Sequence, residues 1–259
     1  MNLNDALKLV ADARAANPQT DVLYQAVDAR STITIDVSPE ETWGSETTAL
    51  GTTISVARTA HPSESLMHEL LHADLKLKGF RQHLTMLRVD DNDMVQHVVQ
   101  ALDNELQHHR MFPAFVAAGL DPSKFYCDSD GQTYKSVRTE LKRMKPKVAT
   151  TGYLFLKYLS AIAPGGAGTD ADREQLKRFF RLTVPGEKMA KIDAAAEMLL
   201  AWGGGTSLDA GPVIRDILEV LGFNGWWIGA SHNFPKDGHF IGAPFTMQDA
   251  ERYAEVSQG

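Results

Sequence analysis

The sequence predicts an α+β chain with a small sheet near its start and a mainly helical remainder, and three observations carry that prediction. Two β-branched runs, Ser31 to Val37 and Thr52 to Ala57, alternate with period two and are bounded by turn residues. A helical segment follows them in which His68-Glu69-Leu70-Leu71-His72 stands over a stripe of apolar residues. Beyond residue 112 the apolar residues recur at helical spacing, in segments separated by glycine-rich breaks.

Taken in order, residues 4 to 16 read as a helix with Ala6, Leu7, Val10 and Ala13 on one face, ended by Asn17-Pro18 and packed on the sheet. The strands at 31–37 and 52–57 are expected to be joined by a polar connection containing Pro39, Trp43 and Gly44. In the helix after them, Leu66, Leu70, Ala73 and Leu77 form the core side, with Ser63 as N-cap and Gly79 as stop. His68 and His72 lie one turn apart on the opposite side, so two imidazoles can grip one ion. Glu69 stands beside them, placed to accept a proton from an attacking water.

Residues 91 to 111 form a second informative helix. Gln96, Gln100, Asp103, Gln107 and Arg110 make one polar stripe, read as the solvent face. The other side carries Met94, Val98, Ala101 and Leu102 with Glu105 among them, and a carboxylate on a buried face needs a partner or a metal. The ion held by His68 and His72 is the available partner. His108, His97 and His109 are rivals for that third position, since imidazole is as good a zinc ligand as carboxylate; a site without a third ligand from this helix also stays open.

Strands followed by a His-Glu-x-x-His helix, and then by Asn104-Glu105 on a later helix, resemble the zincin metallopeptidases of the gluzincin kind. The resemblance covers residues 50 to 112. It implies a zincin-like catalytic part at 1–120, built from a small sheet, the motif helix and the third-ligand helix. A mainly helical part at 121–259 then completes or covers the cleft. It implies Zn2+ held by His68, His72 and Glu105, Glu69 as general base, and a protein or peptide substrate whose extended chain pairs with the strand at 52–57. Gluzincins of the best-known type carry an aspartate four residues after the ligand glutamate; here that position is His109. A second reading from another class is a metal-stabilised, inactive interaction protein, which a site closed by four protein ligands would mark.

The remaining segments are structural in expectation. Pro113 to Leu120 is a short helix or turn, and Tyr134 to Lys147 is a helix with Lys135, Arg138, Lys142, Arg143, Lys145 and Lys147 on a solvated face or at an acidic partner. Helices are expected at 149–162, 171–181, 186–202 and 210–221. Gly203-Gly204-Gly205 is a loop without the Lys-Ser or Lys-Thr of a phosphate loop. Asp237-Gly238 signals a hairpin turn, with His232 or His239 as candidates to stabilise an oxyanion.

Net charge of −7 and pI about 5.7 argue against general nucleic-acid binding. No apolar run approaches the roughly 18 residues of a membrane span. The single cysteine, Cys127, excludes an internal disulfide and, in its acidic setting, is a poor nucleophile. With a start, Met1-Asn2-Leu3-Asn4-Asp5, that lacks the features of a secretory signal, the expectation is a cytoplasmic protein.

Overall fold

The computed structural model describes residues 1–80, 85–88, 94–126, 134–165, 168–229, 238–241 and 248. The chain is α+β and divides into two compact units that interleave along the sequence. The first comprises residues 1–80, 107–134 and 163–169, and the second the rest.

In the first unit, Asn2 opens helix α1 (Leu3–Ala16) through a reciprocal capping box with Asp5. Asn17 both ends α1 and caps α2 (Pro18–Asp28), a helix the sequence reading passes over because Pro18 looks like a terminator. Proline at the first helical position is a start signal as well, since its missing N–H would have no partner there. Ala6, Val10 and Ala13 of α1 are buried as expected, but Leu7 is 47 % exposed and lies off the core face.

The sheet of this unit has three strands in the order β1 (Ile33–Val37), β3 (Gly51–Val56), β2 (Gly44–Thr48), with β1 parallel and β2 antiparallel to β3. β2 falls in the stretch read as a polar connection. Its sequence, Gly-Ser-Glu-Thr-Thr, has no apolar alternation, and it becomes a strand through its register with β3, Ser45 opposite Ile54 and Thr47 opposite Thr52. The consequence is a correction: β3, expected at the edge of a cleft, is the central strand, its inward residues Ile54 and Val56 fully buried, while β2 holds the edge.

Helix α3 (Pro62–Leu77) packs against α1, α2 and β2. His61, not Ser63, precedes its first turn, and the Ser63 hydroxyl instead donates to the Ala13 carbonyl at 3.2 Å. Leu66, Leu70 and Ala73 are fully buried against Ala6, Val10, Ala13, Ile54 and Val56, so one face of α3 is consumed by the core. Asp74, near its end, accepts Arg30 from beyond α2 at 2.8 Å and Lys78 at 2.6 Å, an ion-pair group that ties α2 to α3. The helix stops at Gly79, whose φ of +105° only glycine adopts readily.

The second unit holds α5 (Tyr134–Met144), α6 (Thr151–Ile162), α7 (Asp170–Thr183), α8 (Gly186–Gly204) and α9 (Gly211–Leu221). It also holds an antiparallel sheet of β4 (Thr85–Arg88), β5 (Trp226–Gly229) and β6 (Gly238–Ile241). The four later helices fall close to the ranges their periodicity predicts. Gly203 and Gly204, expected in a loop, belong to the last turn of α8. α8 packs on α6 and α9, and β6 lies on α9. β5 and β6 pair antiparallel, but Gly238, expected in a turn with Asp237, is the first residue of β6, opposite Gly229; Asp237 and His232 lie outside the described residues. Trp226 and Trp227 are both buried on β5, and the hairpin has room for the Trp227 ring only because Gly229 and Gly238 carry no Cβ on that face.

Helix α4 (Met94–Ala117) runs through both units, the second to Leu106 and the first from Gln107. It continues through Pro113, which the sequence reading places after its end. Among the described residues no helix is long and apolar enough to cross a membrane.

Candidate functional site

The site is built where α3 and the C-terminal half of α4 meet inside the first unit. Once Leu66, Leu70 and Ala73 commit one face of α3 to the core, 3.6-residue periodicity turns His68 and His72 to the other side. That side is also closed over: His68 is 8 % exposed. α4 is fixed opposite in part by Asn17, whose side-chain amide donates to the Ala118 carbonyl at 3.1 Å.

On α4 the stripe read as the solvent face keeps that character only in its first half. Gln96 and Gln100 are exposed, but Asp103 and Gln107 are buried, Gln107 to 2 %. A helix of this length, about 36 Å at 1.5 Å per residue, passes from surface into interior, so one stripe cannot keep one environment along it. The inward turn brings His108 to the motif pair. Ring centroids lie 4.9 Å apart for His68–His72, 5.0 Å for His68–His108 and 5.2 Å for His72–His108. One ligand nitrogen from each of the three buried histidines lies within 4.8 Å of the others.

Nitrogen geometry within the group fits a metal. His72 Nδ1 stands 3.0 Å from Gln107 Oε1, and an amide oxygen only accepts, so Nδ1 carries the proton and Nε2 presents a lone pair. That lone pair faces His68 Nε2 at 3.1 Å. Two nitrogens on a tetrahedral zinc, each about 2.0–2.1 Å from it, sit about 3.3 Å apart. Burial pushes the His68 imidazolium well below the usual histidine range, with His72 and His108 adding to the shift and the Phe125 backbone opposing it. His68 Nδ1 nonetheless makes no hydrogen bond of normal geometry with a described group. His72 is lowered to about 3, first by burial and then by His108, against the hydrogen bond to Gln107. Both rings are therefore neutral at physiological pH, the state in which imidazole binds metal. Three imidazoles suit a divalent transition ion and do not by themselves select which one.

Glu69, 8 % exposed, is held from the edge strand: Ser45 Oγ of β2 donates to Glu69 Oε2 at 2.8 Å. The wall is aromatic. Beyond α4 a short 3-10 turn, Pro122–Lys124, is capped by Asp121 through the Ser123 N–H and delivers Phe125 and Tyr126. Phe125 lies 4.7 Å from the His68 ring, and Tyr126 meets His108 edge-on at 4.9 Å. Such a wall lowers the local dielectric and strengthens every charge interaction inside it.

Of the residues named from the sequence, His68, His72 and the rival His108 are brought together, with Glu69 beside His68 in the chain. Glu105 is buried one turn before His108 on α4, in the stretch assigned to the second unit, and is not a member of the group. His97 is exposed and His109 half-buried, and neither belongs to it. His239 is on β6 of the second unit, in register with Ile228. Ser45, Phe125 and Tyr126 are not among the site residues expected from the sequence, and Gln107, expected on the solvent face, is buried against His72. The repeated Thr-Thr pairs flanking Ala49-Leu50-Gly51 are the signal that would have revealed the β2–β3 hairpin and hence Ser45.

Compared with protein-family models, with curated proteins and with solved structures, the chain matches none.

Proposed function

We propose that this chain is a zinc-dependent hydrolase acting on peptide bonds, with His68, His72 and His108 as metal ligands and Glu69 as general base. The observation that carries the proposal is the convergence of three buried histidines, two of them held neutral, next to a glutamate that is anchored by Ser45. Zinc in such a site supplies Lewis-acid polarisation of a carbonyl and lowers the pKa of a water.

The protein's own residues then do the rest. Gln107 keeps the His72 proton on Nδ1, so that Nε2 is the nitrogen offered to the ion. Ser45 positions the Glu69 carboxylate by donating to Oε2 at 2.8 Å. Glu69 accepts that proton and returns it to the leaving amine, as general-base and then general-acid catalysis of amide hydrolysis requires. The described residues gather three histidines here, and three protein ligands would leave a position for water or substrate, the feature that separates catalytic from structural zinc sites.

The test is a paired measurement on the purified wild type and Glu69→Gln. Metal content is determined by elemental analysis, and cleavage is followed by mass spectrometry on a mixed peptide library. The proposal expects about one zinc per chain in both proteins and new peptide termini only with the wild type. A wild type without bound transition metal overturns it, as does cleavage that survives in Glu69→Gln. Metal in both proteins, with no cleavage by either and unfolding on chelation, would instead identify the metal-stabilised interaction protein.

A further inference from the structure

The second unit carries a charge distribution that the hydrolase reading does not use. Within an acidic chain of net charge −7, residues 134–147 hold Lys135, Arg138, Lys142, Arg143, Lys145 and Lys147 against a single carboxylate, Glu140. A solvated helix would be expected to neutralise its cations with acids one turn away. Here Glu140 is turned toward α6, where it accepts the Tyr153 hydroxyl at 2.6 Å and Lys157 Nζ at 3.0 Å. Lys135, Lys142, Arg143, Lys145 and Lys147 are exposed and form no ion pair among the described residues.

Local helix stability accounts for only part of this set. Lys142 and Arg143, in the last turn of α5, favour the negative end of the helix dipole. Lys135 sits in the first turn, where a cation is disfavoured. Lys145 lies beyond the helix at φ +53°, a conformation lysine adopts at a cost. The backbone that follows is held in place by Lys188, whose ammonium donates to the carbonyls of Lys147 at 3.0 Å and Ala149 at 2.7 Å. The cations thus project from a fixed backbone.

We propose that the exposed face of α5, extended by Lys145 and Lys147, docks a short Asp/Glu-rich segment of a partner protein. Charge complementarity defines the partner, and two features favour an acidic peptide over nucleic acid. Residues 134–147 themselves offer no exposed aromatic ring on which a base could stack, since Tyr134, their one aromatic residue, is only 4 % exposed. The patch is also short. Eleven helical residues span about 16 Å, the length of roughly five extended peptide residues, which suits a short acidic segment. The inference is independent of the metal site.

The test is fluorescence anisotropy of a fluorescein-labelled hexaglutamate peptide against the full chain, with a labelled 12-base-pair DNA duplex as the rival probe. In low salt, hexaglutamate binds the wild type about tenfold or more tighter than the triple variant Lys135→Glu, Lys142→Glu, Lys145→Glu, the size expected when several exposed charge pairs are reversed together. The corresponding Lys→Arg triple stays within about threefold of the wild type, since charge and not hydrogen-bond geometry carries the contact. Raising salt severalfold weakens binding, because these pairs are solvent-exposed. If circular dichroism shows that the glutamate triple does not fold, the Lys→Gln triple takes its place with the same expected direction. Equal binding of hexaglutamate to wild type and to the folded charge-altered variant overturns the proposal, and tighter binding of the duplex than of the peptide overturns it in favour of nucleic acid.

Discussion

Replacing Gln107 by leucine is the perturbation that interrogates the metal site without touching a ligand. Gln107 is 2 % exposed and its Oε1 is the acceptor for His72 Nδ1 at 3.0 Å. Leucine preserves most of the volume but leaves a buried imidazole N–H with no acceptor, which costs about 1–3 kcal/mol. Relief of that cost requires the proton to move to Nε2, the nitrogen that must bind the ion. Metal affinity should therefore fall by about 10- to 100-fold, the loss typical of a group that orients a ligand, or about 1.4–2.7 kcal/mol. Gln107→Glu keeps an acceptor and should hold zinc at least as tightly as the wild type. Competition with a chromophoric zinc chelator measures the affinities. Stability gives an independent reading: zinc at 100 times the wild-type Kd stabilises the wild type by about 2.7 kcal/mol, but a variant with 100-fold weaker affinity by only about 0.4 kcal/mol. The reasoning is refuted if Gln107→Leu binds zinc as the wild type does while His72→Ala does not.

Other variants probe the base, the second sheet and a surface pair. Ser45→Ala should keep the metal and lower turnover about tenfold, because Glu69 loses a hydrogen bond to a charged group worth about 1.5–3 kcal/mol; unchanged turnover would remove Ser45 from the site. Gly238→Ala places a methyl group in the Trp227 ring and should destabilise the chain by about 1–3 kcal/mol in urea unfolding, with loss of Trp227 burial seen by fluorescence. The Tyr153 phenol, raised to about 12 first by burial and then by Glu140, should escape ionisation in an absorbance titration up to pH 11. Glu140 is lowered from its ordinary 4.5, first by the Tyr153 hydroxyl, so the pair contributes stability above pH 4.5 that is lost as pH falls through the depressed value. Tyr153→Phe should therefore flatten the pH dependence of stability below pH 4.5, and an unaltered profile would contradict the assignment.

Local patterns in the sequence were sufficient for whatever depends on neighbours within a turn or a strand. The His68–His72 pair, the core face of Leu66, Leu70 and Ala73, the strands β1 and β3, and the helices α6 to α9 all follow from periods of 3.6 or 2 that a few consecutive residues express. The polar stripe of α4 was legible too, but its meaning was not. Gln96 and Gln107 look equivalent along the chain, and only the burial of the far half of the helix makes one a solvated amide and the other the partner of His72.

Tertiary structure alone decided the members of the group around His68 and His72. Glu105 and His108 differ by three residues, a rotation of about 60° on a helical wheel, and single-stripe reasoning cannot resolve that angle without knowing how α4 crosses α3. Ser45 needed the β2–β3 register, and Phe125 and Tyr126 needed the turn after α4 to fold back on the histidines. These contacts join residues far apart in sequence. A one-dimensional pattern records the environment a residue prefers, whereas which distant groups share that environment is settled by packing, and packing is where the third histidine and the serine beside Glu69 enter.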